Sequence, residues 1–192
     1  MLVDDSAGLL RHLGIANADI FGYSLGGGVA LQLAVRHPQL VRKLVVASAT
    51  YNSDGMYPEV RAMIDTITPA MFAGSPFEAE YLRLAPSPDK FPTLVAKLTQ
   101  LDREVQDWPA ADMRAITAPT LLIIGDSDVV QPEHAVELFR LLGGGVVGDL
   151  SGLPNAQLAV LPGTTHITVV NQTALLLAMI PPFLEGPLPA AG

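Results

Sequence analysis

The sequence predicts an α/β fold: a parallel sheet of about four strands, covered by helices on both faces, with a helical cap insertion. Three observations carry that prediction. Four short apolar runs, at 18–23, 43–48, 119–125 and 156–161, alternate with helical candidates at 2–13, 25–37, 132–142 and 168–180. Two of these runs hold Leu44, Val45, Val46 and Leu121, Leu122, Ile123, Ile124 with no polar interruption, as strands buried on both faces do. The 192 residues are 49% apolar and 16% charged, which suits one well-cored domain and excludes a disordered chain or a coiled coil.

Each element has a local cause. Gly14 closes the first helix, and the helix from Leu25 stops at His37 because Pro38 disfavours helical geometry at the residue before it. Residues 51–113 break the alternation, since they separate the second and third strands by far more than one crossover helix. They carry seven of the eleven aromatic residues, together with Met56, Met63, Met71 and Met113. Two compatible readings follow: a cap that roofs a site with adaptable apolar side chains, or an insertion long enough to need its own small core. The resulting division is 1–50 and 116–192 for the core and 51–115 for the insertion. The glycine-rich stretch 143–154 has no periodicity and reads as a surface loop, and Pro181 and Pro182 break the late apolar run 174–184.

Composition narrows the function. A net charge of −8 argues against nucleic acid and anionic membrane surfaces, both of which need basic patches, and favours small neutral molecules. The absence of cysteine excludes disulfides, thiolate catalysis and cysteine-ligated metals. Residues 1–11 lack a basic segment followed by an apolar one, so neither a signal peptide nor a membrane span is expected, and a cytoplasmic location is.

The sharpest chemical signal is Gly22-Tyr23-Ser24-Leu25-Gly26, a G-x-S-x-G placed where a strand ends and a helix begins. A nucleophile elbow needs small residues two before and two after the serine, because strand and helix backbones nearly touch while the turn exposes the hydroxyl. Gly22 and Gly26 supply that room. The N–H of Leu25, at a helix N-terminus, is placed to stabilise an oxyanion. A phosphate-binding turn fits less well, since neither a P-loop Lys-Ser/Thr nor a G-x-G-x-x-G follows. A serine nucleophile needs a histidine held by a carboxylate, on loops after strands. Two such loops exist, Gly125-Asp126-Ser127-Asp128 and Pro162-Gly163-Thr164-Thr165-His166. His12, His37 and His134 have bland readings on or beside helices, His134 as a solvated residue, and none has metal-ligand spacing.

With these segments in serine, acid, histidine order, the chain resembles the α/β-hydrolase superfamily over almost its whole length. The resemblance implies a catalytic trio of Ser24, Asp128 and His166, with Asp128 as the acid and Asp126 tying down the loop. It implies no metal and no organic cofactor. Tyr23, Met56, Tyr57 and Trp108 are the candidates for contact with substrate. The resemblance begins in mid-fold: the leading strands and oxyanion loop of such relatives have no counterpart here. One oxyanion donor fewer costs about 10²–10³ in rate. The strand 18–23 is then expected at a sheet edge, where a homo-oligomer, a dimer or higher, covers the surface near Ile20 and Phe21.

The function this implies is a serine hydrolase, a carboxylesterase acting on small apolar esters through an acyl-enzyme. Serine at the nucleophile argues against haloalkane dehalogenase chemistry but does not separate esterase from lipase, C–C bond hydrolase or perhydrolase. The alternative is an inactive remnant of the fold that binds a small ligand or scaffolds an oligomer.

Overall fold

The computed structural model describes residues 2–103 and 107–188. The chain divides into two compact units, Met1–Met56 with Asp107–Gly192, and Tyr57–Gln106. The first unit opens with α1 (Leu2–His12), β1 (Ala18–Tyr23), α2 (Leu25–Arg36) and β2 (Val41–Ala47). The second holds α3 (Pro58–Ile64), α4 (Pro76–Leu84) and α5 (Phe91–Arg103). The chain then returns to the first unit as α6 (Ala110–Arg114), β3 (Thr120–Ser127), α7 (Pro132–Leu141), α8 (Gly148–Ser151), β4 (Ala156–Thr165) and α9 (Thr173–Glu185). Proline stands at the first position of α3, α4 and α7, where its missing N–H costs nothing.

The four strands form one parallel sheet in the order β1-β2-β3-β4, so β1 and β4 are its outer strands among the described residues. The side-chain period of two sorts the core. Leu44, Val46 and Leu122 face a cluster built with Val3 and Ala7 of α1, Leu31 and Ala34 of α2, and Leu138 of α7. Val45, Ala47, Leu121 and Ile123 face the other way, onto Val169 and Phe183. Burying each such side chain is worth about 1.5–3 kcal/mol, and the uninterrupted apolar run of a strand is what lets both faces be covered at once.

The insertion has a local core of its own. Tyr81 of α4 tilts onto Phe91 of α5 with ring centroids 5.4 Å apart, and Phe72 meets Phe77 edge to face at 6.2 Å. Ser75 caps α4 by accepting the Glu78 N–H, and Glu78 accepts the Gly74 N–H in return. The aromatic enrichment of this segment is thereby used, at least in part, on itself.

Three expectations are corrected. The loop at 143–154 contains the single turn α8. The prolines at 181 and 182 do not end α9, which runs on to Glu185. Its last carbonyls are held by cations of β2: the buried Lys43 ammonium donates to Phe183 O at 2.7 Å and Gly186 O at 2.5 Å, and Arg42, paired with Asp19, donates to Leu184 O at 3.2 Å. Positive charge at a helix C-terminus is attracted to the negative end of the dipole and satisfies the orphan carbonyls. Finally, His134 is not solvated but 5% exposed, stacked on Tyr51 with ring centroids 4.7 Å apart and accepting the Tyr51 N–H at 3.2 Å. Gly55 permits this, since a Cβ there would lie 2.6 Å from the imidazole.

Candidate active site

The strand-to-helix turn between β1 and α2 is strained. Ser24 sits at φ 55, ψ −123, a region that costs a residue with a Cβ about 1–3 kcal/mol and persists only where the surroundings impose it. What imposes it is the Ser24 N–H donating to Ala47 O of β2 at 2.9 Å, together with the close approach of β1 to α2. A Cβ on Gly22 would lie 2.2 Å from the Gly26 carbonyl oxygen and 2.8 Å from Ala30 Cβ. Gly26, which the motif treats as equivalent, has open space at its own Cβ position. The second crowded glycine is Gly27, whose Cβ would lie 2.5 Å from Ala49 Cβ. Ser24 O accepts the N–H groups of Gly27 and Gly28. The Leu25 N–H, first in α2, is one of the donors that no carbonyl within a helix can take, and it stands at the positive end of the dipole.

The acid and histidine loops come together through strand register. β3 and β4 pair from Thr120↔Ala156 onward, shift at Gly125, and resume at Ser127↔Thr165. That last pair brings the residues that follow each strand, Asp128 and His166, side by side. Gly125 is needed at the shift, because a Cβ there would lie 2.2 Å from Thr164 O. Asp126 ties the two loops by accepting the N–H groups of Gly163 at 2.9 Å and Thr164 at 3.2 Å. These bonds, Gly163's first, hold its carboxyl below the ordinary carboxylate range.

The three predicted residues meet. His166 Nε2 lies 2.9 Å from Ser24 Oγ, and His166 Nδ1 lies 2.9 Å from Asp128 Oδ1. The Asp128 side chain is wholly buried and the imidazole is 18% exposed. Burial works to raise the Asp128 pKa; hydrogen bonds from His166, Ser48 and the Gly125 N–H outweigh it and leave the carboxyl below its ordinary value. An imidazole with a hydroxyl on one nitrogen and a buried carboxylate on the other can take the hydroxyl proton, and the carboxylate holds the imidazolium that forms. Among the described residues no group of three His, Cys, Asp or Glu is placed to hold a metal ion, and no helix is long and apolar enough to cross a membrane.

The other predicted site residues are placed variously. Tyr23 touches the relay through its hydroxyl, which donates to His166 O at 2.6 Å, while its ring tilts against the imidazole at 5.3 Å. Burial first, and the Asp128 charge second, push its phenol above the ordinary value. Met56 pairs its backbone with Val130, two residues beyond Asp128, and gives its carbonyl to Gln131. Trp108 donates its N–H to Tyr51 O and packs against the α1 and α2 side of the core. Tyr57 stands at the start of α3, in the second unit. Ser48, not singled out from the sequence, donates from Oγ to Asp128 Oδ2 at 2.5 Å. Its signal was positional: it ends an apolar run as Ser24 does, each following one member of the pair Tyr23↔Ala47.

Comparison with known proteins agrees with this fold. The family profile of the alpha/beta hydrolase fold matches residues 1–114. The chain is 28% identical over 199 residues to a 2-hydroxymuconate semialdehyde hydrolase of Pseudomonas putida, covering 95% of this chain and 67% of that protein. It is 31% identical over 200 residues to a pimeloyl-[acyl-carrier protein] methyl ester esterase of Neisseria meningitidis serogroup B, covering 90% and 71%. Among solved structures it resembles the meta-cleavage product hydrolase CumD of Pseudomonas fluorescens, with a TM-score of 0.64 at 22% identity over 95% of this chain and 70% of that one. The chain belongs to the alpha/beta hydrolase family, and its relatives are hydrolases.

Proposed function

We propose that this protein is a serine hydrolase acting on carboxylic esters, with Ser24 as nucleophile, His166 as base and Asp128 as the acid that orients it. The observation that carries the reading is the unbroken relay from a strained serine at the start of α2 through two 2.9 Å hydrogen bonds to a buried carboxylate. In the forward step His166 Nε2 takes the Ser24 proton as Oγ adds to the ester carbonyl, and the Leu25 N–H receives the developing oxyanion. The imidazolium, held by Asp128, then gives its proton to the departing alcohol oxygen. Water, activated by the same nitrogen, releases the acid and restores Ser24.

The likeness to an esterase at 31% identity supports the ester class. A second reading, hydrolysis of a 2-hydroxymuconate semialdehyde, is supported by the relative that matches 95% of the chain. One experiment tests both. The wild type and Ser24→Ala are treated with a fluorophosphonate probe and assayed on p-nitrophenyl acetate, on methyl esters of short acids and on 2-hydroxymuconate semialdehyde. Labelling and ester turnover that both vanish in Ser24→Ala are expected. Turnover of the semialdehyde alone favours the second reading, and a wild type that neither labels nor turns over any of them refutes the proposal.

A further inference from the structure

We infer that Ser48 is a positioning residue of this relay: its hydroxyl, with the Gly125 N–H, saturates Asp128 Oδ2 and so commits Oδ1 to His166. The inference rests on the proposed serine-hydrolase reading and adds a fourth side chain to it. Asp128 is wholly buried, and a buried carboxylate must find its donors within the protein. It offers about four lone-pair positions, and four donors meet them. Ser48 Oγ at 2.5 Å and Gly125 N at 3.2 Å address Oδ2; His166 Nδ1 at 2.9 Å and Val130 N at 3.3 Å address Oδ1. Two of the four come from side chains, and of those two only Ser48 lies outside the acid and histidine loops. Rotation of the carboxylate away from His166 also breaks the Ser48 bond.

The backbone at Ser48 supports the same conclusion. Ser48 is 2% exposed, its N–H extends the ladder to Ile123 O at 2.8 Å, and its φ is 52. Only Ser24 shares positive φ among the described non-glycine residues. On backbone grounds alone this position favours glycine, which adopts such angles without the Cβ penalty of about 1–2 kcal/mol. The hydroxyl is what glycine cannot supply. A β-branched threonine keeps the hydroxyl but suits this φ poorly, which makes serine the smallest residue that serves both ends.

This separates positioning from simple stability. Ser48→Ala removes the donor and keeps the strain; Ser48→Gly removes both. Their stabilities therefore diverge, Ser48→Gly being the more stable, while their effects on the relay coincide. Without the hydroxyl, Asp128 carries more of its charge on its imidazole side and favours the protonated relay. The other titratable groups on the relay are engaged elsewhere: Asp126 on Gly163 and Thr164, and Tyr23 on His166 O. In both variants kcat/KM on p-nitrophenyl acetate is expected to fall by about tenfold, mostly in kcat, as fits one charge-assisted hydrogen bond. The acidic limb of its pH profile is expected to move up by about half a unit.

The same variants are followed by proton NMR through the downfield Nδ1–H resonance of His166, which needs no turnover. A limb and a resonance midpoint that move together in both variants support the inference. Rates within about twofold of wild type, with limb and midpoint unmoved, overturn it. If the wild type has no turnover, the proposed hydrolase function fails while the resonance still decides Ser48: a displaced midpoint supports its coupling to Asp128 and an unmoved one overturns it.

Discussion

The G-x-S-x-G motif treats its two glycines alike, and the structure does not. Replacing Gly22 by alanine places a Cβ 2.2 Å from Gly26 O, 2.6 Å from Gly26 C and 2.8 Å from Ala30 Cβ. An ordinary carbon–oxygen approach is about 3.3 Å, so α2 must retreat from β1 by roughly 1 Å. The obstacles are two backbone atoms and a Cβ, none of which a rotamer change can clear, and α2 is seated by Leu31, Leu33 and Ala34 in the main core. Overpacking of this kind costs about 1–3 kcal/mol, and the upper end applies here. The retreat also carries the Leu25 N–H away from Ser24, and a misplacement of about 1 Å at a reacting centre can cost roughly 10²-fold in rate. Gly26→Ala is the internal contrast: its Cβ meets nothing within 4 Å, the residue is exposed, and helix propensity favours alanine by about 1 kcal/mol. Urea melts and fluorophosphonate labelling of the two variants measure both effects. Gly22→Ala should lose about 3 kcal/mol and most of its labelling rate, and Gly26→Ala should match or exceed wild-type stability. Equal stability losses in the two variants would refute the reasoning.

Two further outcomes concern the scaffold. Lys43→Met leaves Phe183 O and Gly186 O without their donor; with about 1.5–3 kcal/mol per bond to a charged group, less the relief of burying no ammonium, a loss of about 2–4 kcal/mol is expected. Thermal melts and hydrogen exchange at the end of α9 check it, and an unchanged Tm contradicts it. His134 is pushed below its ordinary value of 6.5 by burial, against the opposing pull of Glu137 and Asp54. It is neutral in the native state, and the unfolded chain binds its proton first. Stability is therefore whole above the unfolded value and falls as pH drops from there toward the native one. Asp126 and Asp128, lowered instead, lose their contributions only below the ordinary carboxylate range. Urea midpoints at about pH 7.5 and about pH 5.5 should differ in the wild type and differ less in His134→Gln. An identical difference in both would remove His134 from the acid response.

Much of the site was legible in the residues because its signals are local. A serine between small residues at a strand-to-helix junction, an Asp-x-Asp after one apolar run and a histidine after another each declare themselves within five positions. The parallel sheet and the sorting of Leu44 from Val45 follow from alternation and a period of two. What the residues alone left undetermined depends on which distant atoms the assembled sheet brings into reach. The shift at Gly125 decides that Ser127 pairs with Thr165, and hence that Asp128 meets His166. The distance from β1 to α2 decides that Gly22 has no room for a Cβ and Gly26 has. His134 reads as a surface histidine on its helix until Tyr51 and Gly55, about eighty positions earlier, close over it. Ser48 is one serine among many until its strand is laid beside β3 and its hydroxyl finds a buried charge. Local pattern determines which face and which turn a residue takes; only the packed sheet fixes its partner, because hydrogen bonds and steric exclusion act over a few ångströms of space and not along the chain.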